Sequence, residues 1–512
     1  MYRISVGHAF KFLVYNPKLG HSQTIWMNDI SDILGKAGHD VLNYAPIVVD
    51  VFNSSRPKFA RTLIRPATHN STQTGDIRYD AWVFDHRSYH GAIEMFGGLG
   101  YEFEASCKEQ LADEKLLDQL RSENFDLGLS EYFDICGLAI FHKIGLKRWI
   151  LLYSNPMPLG DMHLFGVQAT PSFTPSFSVG WSTERMSMKE RLFNWFNYFF
   201  YRYHLRETFL GQTAKAFPPD IPHYTELMSR SQYIFVNMDE HLDFPRPVSF
   251  KHVNVAGVGM QNTVNSSAIE DPHIKKAIET AEDGVVLVSF GSVTSSFGMP
   301  DKNKKALLAA FDSFPKLTFL WKYEREDNIA DGHPNVVTSK WLDQPKILSH
   351  PKLRAFVTHG GLNSVTQSVY AGAPMIVVPL FADQPRNAFM VESRQIGVQL
   401  DKFNLNADVL IDAIQKVVYN PVIASNAKEL SQTIRSKPMN SEERILKYSE
   451  HAAQFDVHKY LDSYGRQLNS VEYHGLDLLA LLVSVVLLSV YCAYCLVYKI
   501  VHISLSSKQK VQ

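Results

Sequence analysis

The strongest constraint on this chain is an apolar run near its carboxyl end. No charged residue occurs between Leu478 and Tyr498. A helix rises about 1.5 Å per residue, so about twenty apolar residues cross a hydrocarbon core roughly 30 Å thick. The run therefore predicts one transmembrane helix over residues 477–498. Cys492 and Cys495 lie inside it, where we expect them to pack or to face lipid.

The charges beside this run predict its orientation in a membrane. Glu472 and Asp477 precede it, whereas Lys499, Lys508 and Lys510 follow it. The positive-inside rule then places the tail, residues 499–512, in the cytosol and the preceding bulk in a lumen. The two lysines near the end of the tail also resemble the dilysine retrieval signal of endoplasmic reticulum membrane proteins.

Two further features bear on a lumenal location. Asn-x-Ser/Thr triplets occur at Asn53, Asn70 and Asn265, and they are compatible with that side of the membrane. A lumenal amino terminus needs a cleavable signal, yet no apolar segment of about 7–15 residues precedes the first strand-like run. We therefore expect either a truncated or wrongly assigned start, or an early segment that serves in an unconventional way.

Composition limits the class of protein. Of 512 residues, 45% are hydrophobic and 20% are charged, which is ordinary for a globular chain with a large core. The formal net charge is −1, so no overall basic field attracts nucleic acid, which we exclude as a partner. The 4 cysteines allow at most one lumenal disulfide, Cys107 to Cys136, and no four-cysteine zinc site.

Strand-like runs alternate with helical patterns along the chain, from residues 12–15 and 23–35 onward, and again from residue 284. This alternation predicts open parallel sheets with helices on both faces. Chain breakers without periodicity near residue 250 indicate a boundary there. The predicted parts are domains 1–249 and 250–440, a helical return and juxtamembrane segment 441–476, the membrane helix and the tail.

One segment, residues 186–204, is dense in aromatic residues, with basic residues among them. An amphipathic helix at a membrane interface has this composition, and so does an aromatic helix that is buried in a core. The sequence leaves both interpretations open.

Residues 341–384 are the most informative for chemistry. Residues 355–358 form a strand-like run, after which His359 and two glycines turn into a helix near Asn363. Glycines let a phosphate approach the backbone, and the first N–H groups of a helix are unpaired at the positive end of its dipole. The turn therefore predicts an anion site to which His359 adds a donor.

This block as a whole resembles the signature of the UDP-glycosyltransferases, in the membrane-bound branch that includes the animal UDP-glucuronosyltransferases. The resemblance implies that Trp341 and Gln344 hold uracil and that His359 and Asn363 hold the diphosphate. It also implies that the pair Asp383 and Gln384 binds the sugar hydroxyls. Flanking loops match as well. The implied donor-binding residues are Gly291, Ser292, Lys322, Trp341, Gln344, His359, Gly361, Asn363, Ser364, Gln367, Asp383 and Gln384.

Gln367 departs from the family pattern, in which a Glu commonly accepts hydrogen bonds from both ribose hydroxyls. A Gln side chain has one acceptor oxygen and a donor amide, so the resemblance predicts weaker uridine binding. The alternative is that Gln367 is a residue on the surface of its helix.

The catalytic residues are expected in the amino-terminal half. His21 lies where the first strand passes into the first helix, at an edge where open α/β sheets place their sites. The resemblance assigns it as the general base that deprotonates the acceptor hydroxyl. Glu131, at a strand end where the family often has Asp, would orient His21 and stabilise its imidazolium. Asp134 is the competing carboxylate.

The predicted architecture is α/β, with two Rossmann-like domains in the GT-B arrangement plus one carboxyl-terminal transmembrane helix. The predicted enzyme is an inverting UDP-glycosyltransferase that moves a sugar, with glucuronic acid favoured, to a hydroxyl of a small lipophilic acceptor. A UDP-glucosyltransferase and a catalytically silent pseudoenzyme that binds nucleotide-sugar or a lipophile remain open. A glycoside hydrolase is disfavoured because no pair of facing carboxylates emerges.

The sequence also leads to expectations about cofactors, cellular location and the recognition of glucuronic acid. We expect no cofactor and no metal, because no Asp-x-Asp or His/Cys cluster stands at the site. The chain is expected in the endoplasmic reticulum membrane, with lumenal catalytic domains and scope for a homo-oligomer. Glucuronic acid would need a cation near its carboxylate, for which Arg246 and Arg185 are candidates.

Overall fold

A computed structural model describes residues 9–48, 55–67, 81–82, 84–85, 87–176, 184–260, 269–292 and 294–509. The described chain forms two parallel sheets, of 7 and 6 strands. The first sheet contains β1 Lys11–Tyr15, β2 Asp40–Pro46, β3 Arg61–Arg65, β4 Leu127–Glu131, β5 Trp149–Tyr153, β6 Ile234–Val236 and β7 His252–Asn254. The second contains β8 Gly284–Ser289, β9 Leu317–Lys322, β10 Val336–Ser339, β11 Leu353–Thr358, β12 Met375–Val377 and β13 Gly397–Gln399.

The strand order identifies both sheets as doubly wound. The first sheet runs β3-β2-β1-β4-β5-β6-β7 and the second β10-β9-β8-β11-β12-β13. Each sheet therefore has a point where the order reverses, between β1 and β4 and between β8 and β11, and open α/β sheets bind ligands there. The prediction of an α/β chain with two such sheets is confirmed.

Helices connect the strands. They are α1 His21–Lys36, α2 Tyr89–Ala112, α3 Glu114–Ser122, α4 Cys136–Lys143, α5 Met188–Phe200, α6 Gln212–Ala214, α7 Tyr224–Ser229, α8 Pro272–Thr280, α9 Asp301–Asp312, α10 Gln344–Leu348, α11 Leu362–Ala371, α12 Gln384–Ser393, α13 Ala407–Tyr419, α14 Pro421–Arg435, α15 Ser441–Gln454, α16 His458–Leu461, α17 Ser470–Tyr473 and α18 Leu476–Gln509. Two π-helical turns, Tyr201–Leu205 and Glu207–Gly211, join α5 to α6. A disulfide between Cys107 and Cys136 links α2 to α4.

Strand β1 shows why both faces of the first sheet are covered. Phe12 and Val14 pack in one cluster with Trp26 of α1, whereas Leu13 pairs with a second cluster that includes Phe103 of α2. Successive side chains of a strand point to opposite faces, so a strand apolar throughout is buried on both sides.

The chain crosses between the two halves more than once. Strand β7 lies in the first sheet and therefore extends that sheet beyond residue 249, where we predicted the boundary. The signal for β7 is weak because it is short and half polar. Downstream, α15 packs on α1, and its residue Ile445 joins the cluster that covers β1.

A short segment of the first half also inserts into the second. The ring of Trp82 lies 4.9 Å from that of Phe290, and its indole donates to the carbonyl of Ser295 over 3.1 Å. The ammonium of Lys402 donates to the carbonyls of Ala81, at 2.9 Å, and Leu380, at 2.8 Å. These contacts hold the two halves together beside the cleft between them.

Helix α18 contains 34 residues, and its stretch Leu476–His502 is the one helix of the described chain that is long and apolar enough to cross a membrane. Its side chains from residue 476 to residue 502 lie on the outside of the protein almost throughout. This single carboxyl-terminal helix fits single-pass membrane anchoring. The triplets at Asn53, Asn70 and Asn265 lie outside the described residues.

Candidate active site

The site is formed where the reversal points of the two sheets face each other. His21 follows β1 and Glu131 ends β4, on either side of the reversal in the first sheet. Gly291 follows β8 and His359 follows β11 in the second. Because parallel strands end at the same edge, the fold brings these residues to the two walls of one cleft.

His21 stands where the walls meet. It is the first residue of α1 and is half-buried. Its imidazole lies 6.3 Å from the indole of Trp341, which belongs to the second half, and the two rings are perpendicular. Burial, and then the positive charge of Lys322, lower the pKa of His21. A lowered pKa keeps the imidazole neutral at pH 7, the form that accepts a proton.

We expect transfer activity to fall as the pH drops, with an inflection below about 6.5, the ordinary pKa of His. Protonation of His21 removes the base, and its lowered pKa moves this loss to lower pH. Lys322→Gln removes one cause of the lowering, so its inflection should move to higher pH. The measurement is kcat/KM against pH. An inflection that does not move would assign it to another group.

Among the described residues, neither Glu131, predicted to orient His21, nor its competitor Asp134 forms a hydrogen bond or ion pair with that residue. Glu131 Oε1 instead accepts from the N–H of Ser154, at 3.2 Å, and from its hydroxyl, at 3.1 Å. Asp134 accepts from the hydroxyl of Tyr15 at 2.7 Å and from the N–H of Cys136 at 3.0 Å. Both carboxyl groups are engaged within the first half.

Burial also changes the charge of these groups. It raises the pKa of Glu131 to about 8 and that of Asp134 to about 7. Glu131 is therefore mostly protonated at pH 7 and supplies little negative charge to an imidazolium. Sequence reasoning could not foresee this, because the raised pKa results from complete burial.

Glu131→Gln is accordingly expected to keep activity at pH 7 within about 3-fold, since a neutral carboxyl and an amide have similar shape. Glu131→Ala should lose about tenfold, because it leaves the buried hydroxyl of Ser154 without its acceptor. The measurement is kcat for both variants. A loss above about 10²-fold in Glu131→Gln would show that the carboxylate charge is needed.

The second wall of the cleft contains the glycine-rich turn that precedes α11. Helix α11 follows Gly361, which provides no side-chain cap for its first N–H groups. The ring of His359 lies against Gly291 and Gly361, where an added Cβ would come within 2.8 Å and 2.6 Å of it. A Cβ at either position would displace this ring, and the φ of 92° at Gly291 also favours glycine there. Burial and the charge of Lys322 lower the pKa of His359 to about 4, so this ring is a neutral donor at pH 7.

Lys322 is the cation of this wall. Its buried ammonium donates to the carbonyl of Gly291 and to Glu324 Oε1, each at 2.9 Å. Its charge lowers the pKa of both His21 and His359, so it acts on both sides of the cleft. A diphosphate beside α11 would find here a buried positive charge and uncapped N–H groups.

The residues predicted for uridine lie together. The amide nitrogen of Gln344 donates to Gln367 Oε1 at 2.6 Å and to the hydroxyl of Ser364 at 3.2 Å. Trp341 is 64% exposed and presents a free ring face. The acceptor oxygen of Gln367 thus already accepts one hydrogen bond, whereas its amide has no such partner in this set of contacts and is the group that can donate to a ribose hydroxyl.

Asp383 and Gln384 begin α12 after a strained turn at Ala382, whose φ is 55°. Asp383 Oδ2 accepts from the amide of Asn387 at 2.6 Å, and burial raises the pKa of Asp383 to about 6. Gln384 Oε1 accepts from the N–H groups of Leu380 and Phe381. Gln384 therefore offers its amide N–H groups to a ligand. A Gln side chain can both donate and accept, but here the acceptor oxygen is already used.

Asn237 is a cleft residue that sequence reasoning missed. Its amide donates to the carbonyl of Ser154 at 3.1 Å and to Asn363 Oδ1 at 3.2 Å. The amide of Asn363 donates in turn to the carbonyl of Ser22 at 3.3 Å. The chain of contacts from Glu131 through Ser154 and these two amides thus ends beside His21. The sequence could have indicated Asn237, because this residue follows the buried strand β6 at the same edge of the sheet.

Other predicted groups are engaged elsewhere. Arg246 is buried, donates to the carbonyl of Met157 at 2.8 Å and lies 3.4 Å from Asp243. Arg185 lies on an exposed segment. A cluster of possible metal ligands at residues 239–241 has both its carboxylates paired, with Lys437 at 2.6 Å and Arg444 at 2.8 Å.

Comparison with known proteins decides the family. The sequence profile described as UDP-glucoronosyl and UDP-glucosyl transferase matches residues 11–511. The chain belongs to this family. UDP-glucuronosyltransferase 3A2 of Mus musculus is 27% identical over 92% of this UDP-glycosyltransferase and 89% of the mouse protein.

Solved structures show the fold of this UDP-glycosyltransferase. A UDP-glucosyltransferase from Polygonum tinctorium, in a complex with 3,4-dichloroaniline, has a TM-score of 0.60 at 16% identity and covers 88% of this chain and 100% of that one. LpCGTa in complex with UDP has a TM-score of 0.58 at 17% identity, with the same coverage. The chain is a UDP-glycosyltransferase with the GT-B fold, and its donor is a UDP-sugar.

Proposed function

We propose that this enzyme moves glucuronic acid from UDP-glucuronic acid to a hydroxyl of a small lipophilic acceptor, with inversion at the anomeric carbon. The observation that carries the proposal is the cleft itself. The neutral imidazole of His21 lies 6.3 Å from the exposed indole of Trp341. Trp341 stands on the same wall as Lys322 and the uncapped start of α11.

The proposed reaction is a single displacement. His21 takes the proton of the acceptor hydroxyl while the acceptor oxygen attacks the anomeric carbon. The bond from that carbon to the diphosphate oxygen breaks, and UDP carries away the electron pair. Lys322, His359 and the first N–H groups of α11 stabilise the charge on the leaving diphosphate. An α-linked donor gives a β-glycoside, and the rate gain comes from orientation and leaving-group electrostatics.

The proposed donor contacts use the groups left available in the cleft. Trp341 stacks on uracil, the amide of Gln367 donates to ribose, and Asp383 accepts from sugar hydroxyls while Gln384 donates to the sugar. Gly291 and Ser292 border the diphosphate, as do Asn363 and Ser364. No metal or cofactor has a part in this proposal.

The name of a relative supports glucuronic acid as the sugar, because the mouse protein similar to this chain is a UDP-glucuronosyltransferase. The charges near the start of α12 do not distinguish the two sugars. Asp243 lies 2.5 Å from Arg386 and 3.4 Å from Arg246, and Arg386 also acts on the carboxyl group of Asp383. Two carboxylates therefore balance the two guanidinium groups.

Comparing two donors tests the choice of sugar. We expect kcat/KM to be at least tenfold higher for UDP-glucuronic acid than for UDP-glucose, which corresponds to about 1.4 kcal/mol of extra stabilisation of the charged donor. The measurement uses one phenolic acceptor and both donors under identical conditions. A preference for UDP-glucose would overturn the glucuronosyl assignment, and it would leave transfer from UDP-sugars in place.

We also propose that the enzyme is a single-pass protein of the endoplasmic reticulum membrane with lumenal catalytic domains. The charges that flank the uncharged run from Leu478 to Tyr498 support this orientation. Protease added outside sealed microsomes should remove the tail and spare both domains. Digestion of the domains under those conditions would reverse the orientation.

A further inference from the structure

Helix α5 presents an apolar face to the outside of the protein. Leu192 is 74% exposed, Phe196 is 54% exposed and Tyr203, one turn beyond the helix, is 61% exposed. Residues three and four apart lie on one side of a helix, so the exposed side chains form a continuous stripe. This stripe consists of Met188, Leu192, Trp195, Phe196, Phe199 and Tyr203.

The opposite side of α5 fixes the stripe in this orientation. The buried amide of Asn194 donates to the carbonyls of Pro171, at 2.6 Å, and Thr174, at 2.8 Å. The hydroxyl of Tyr201 donates to Asp161 Oδ2 at 3.1 Å. A helix held by buried polar contacts on one side cannot rotate to bury its other side. The stripe is therefore a fixed part of the surface.

The stripe lies beside the start of the membrane helix. The hydroxyl of Tyr473 donates to the carbonyl of Gly166 at 3.4 Å. Burial raises the pKa of Tyr473, as does Tyr198 of the aromatic segment, whereas Arg202 lowers it, so these residues lie near one another. Helix α18 begins at Leu476, three residues later. Three residues span at most about 11 Å, so α18 leaves the protein close to α5.

We propose that the stripe on α5 docks into the interface of the bilayer that α18 enters. Aromatic and aliphatic side chains on one face, with basic residues beside them, are typical of helices that lie in the plane of a membrane surface. Lys189 and Arg191 are exposed beside the stripe, where they reach headgroup phosphates. The proposal rests on the membrane anchoring inferred for α18. Docking of the stripe would hold the acceptor-binding half against the bilayer.

The test places a fluorescent probe at single cysteines in the full-length protein. Cys492→Ser and Cys495→Ser remove the free thiols, and Cys107 and Cys136 stay in their disulfide. One cysteine is then introduced by Leu192→Cys on the stripe, Val486→Cys inside α18, or Val422→Cys as a control. Val422 is 55% exposed on the second half. Each labelled protein is reconstituted in vesicles of phosphatidylcholine and phosphatidylserine with bromines at a shallow or a deep chain position.

We expect shallow bromines to quench the probe at residue 192 more strongly than deep ones, because the apolar face of an interfacial helix is buried about 5–10 Å into the boundary between headgroups and acyl chains. Deep bromines should quench the probe at residue 486, and neither should quench the probe at residue 422. Quenching at 486 without quenching at 192 would overturn the docking of α5 and leave the anchor intact. Absence of quenching at 486 would overturn both.

Discussion

His21→Ala is expected to lower kcat by about 10²- to 10⁴-fold, the range that a positioned general base contributes. The imidazole is the neutral group that faces the second wall of the cleft, 6.3 Å from Trp341. Its proposed partner is the acceptor hydroxyl and not the nucleotide. Affinity for UDP should therefore remain within about twofold of wild type. The measurements are initial rates with a phenolic acceptor and UDP binding by calorimetry.

His273→Ala is a matched control, because His273 is an exposed histidine on α8. Its kcat should equal that of wild type. Turnover in His21→Ala at the wild-type rate would remove the base assignment. A large loss of UDP affinity in the same variant would place His21 in the nucleotide site instead.

Asp383→Ala is expected to lower kcat/KM for the donor by about 10²-fold. Hydrogen bonds to a charged group contribute about 1.5–3 kcal/mol, and 2.7 kcal/mol corresponds to roughly a hundredfold change. The variant also removes one of the two acceptors of the Asn387 amide, which keeps its hydrogen bond to the carbonyl of Gly360. UDP lacks the transferred sugar and its hydroxyls, so its affinity should change little. The measurement compares kcat/KM for the UDP-sugar with the dissociation constant of UDP.

Asp408→Ala controls for the loss of a carboxylate in the same half, because Asp408 is exposed in the first turn of α13. This variant should leave kcat/KM for the UDP-sugar and the dissociation constant of UDP within about twofold of wild type. Equal losses of UDP and UDP-sugar binding in Asp383→Ala would contradict a role confined to the sugar.

Much of the fold could be predicted from the sequence, because buried strands and turn residues are local signals. The alternation of apolar runs and helical patterns predicted the parallel sheets, and the uncharged run predicted α18. Strand β7 could not be located in this way, since three partly polar residues have no recognisable pattern. Its pairing with β6 depends on the rest of the sheet.

The candidate site divides in a similar way. Positions at the carboxyl edges of strands were predictable, and this holds for His21 and His359. Contacts between the two halves could not be predicted, because they join residues that are far apart in the chain. Asn237 and Asn363 are 126 positions apart, and neither residue by itself indicates the other.

Sequence patterns also cannot predict which side-chain atoms are already used in hydrogen bonds. Glu131 stands at the predicted strand end, but it accepts hydrogen bonds from Ser154 and its burial raises its pKa to about 8. Gln384 is a residue that the resemblance assigns to the sugar, yet its oxygen is occupied by backbone N–H groups. Residue identity predicts which atoms can bond, whereas packing decides which of them remain available.

The most direct measurement of the proposed transfer is acceptor-dependent release of UDP from UDP-glucuronic acid, with the product followed by nuclear magnetic resonance. We expect UDP and a β-glucuronide of the phenolic acceptor to appear in equal amounts, and both to disappear in His21→Ala. Binding of the donor without acceptor-dependent release of UDP, or formation of an α-linked product, would contradict inverting transfer at this cleft.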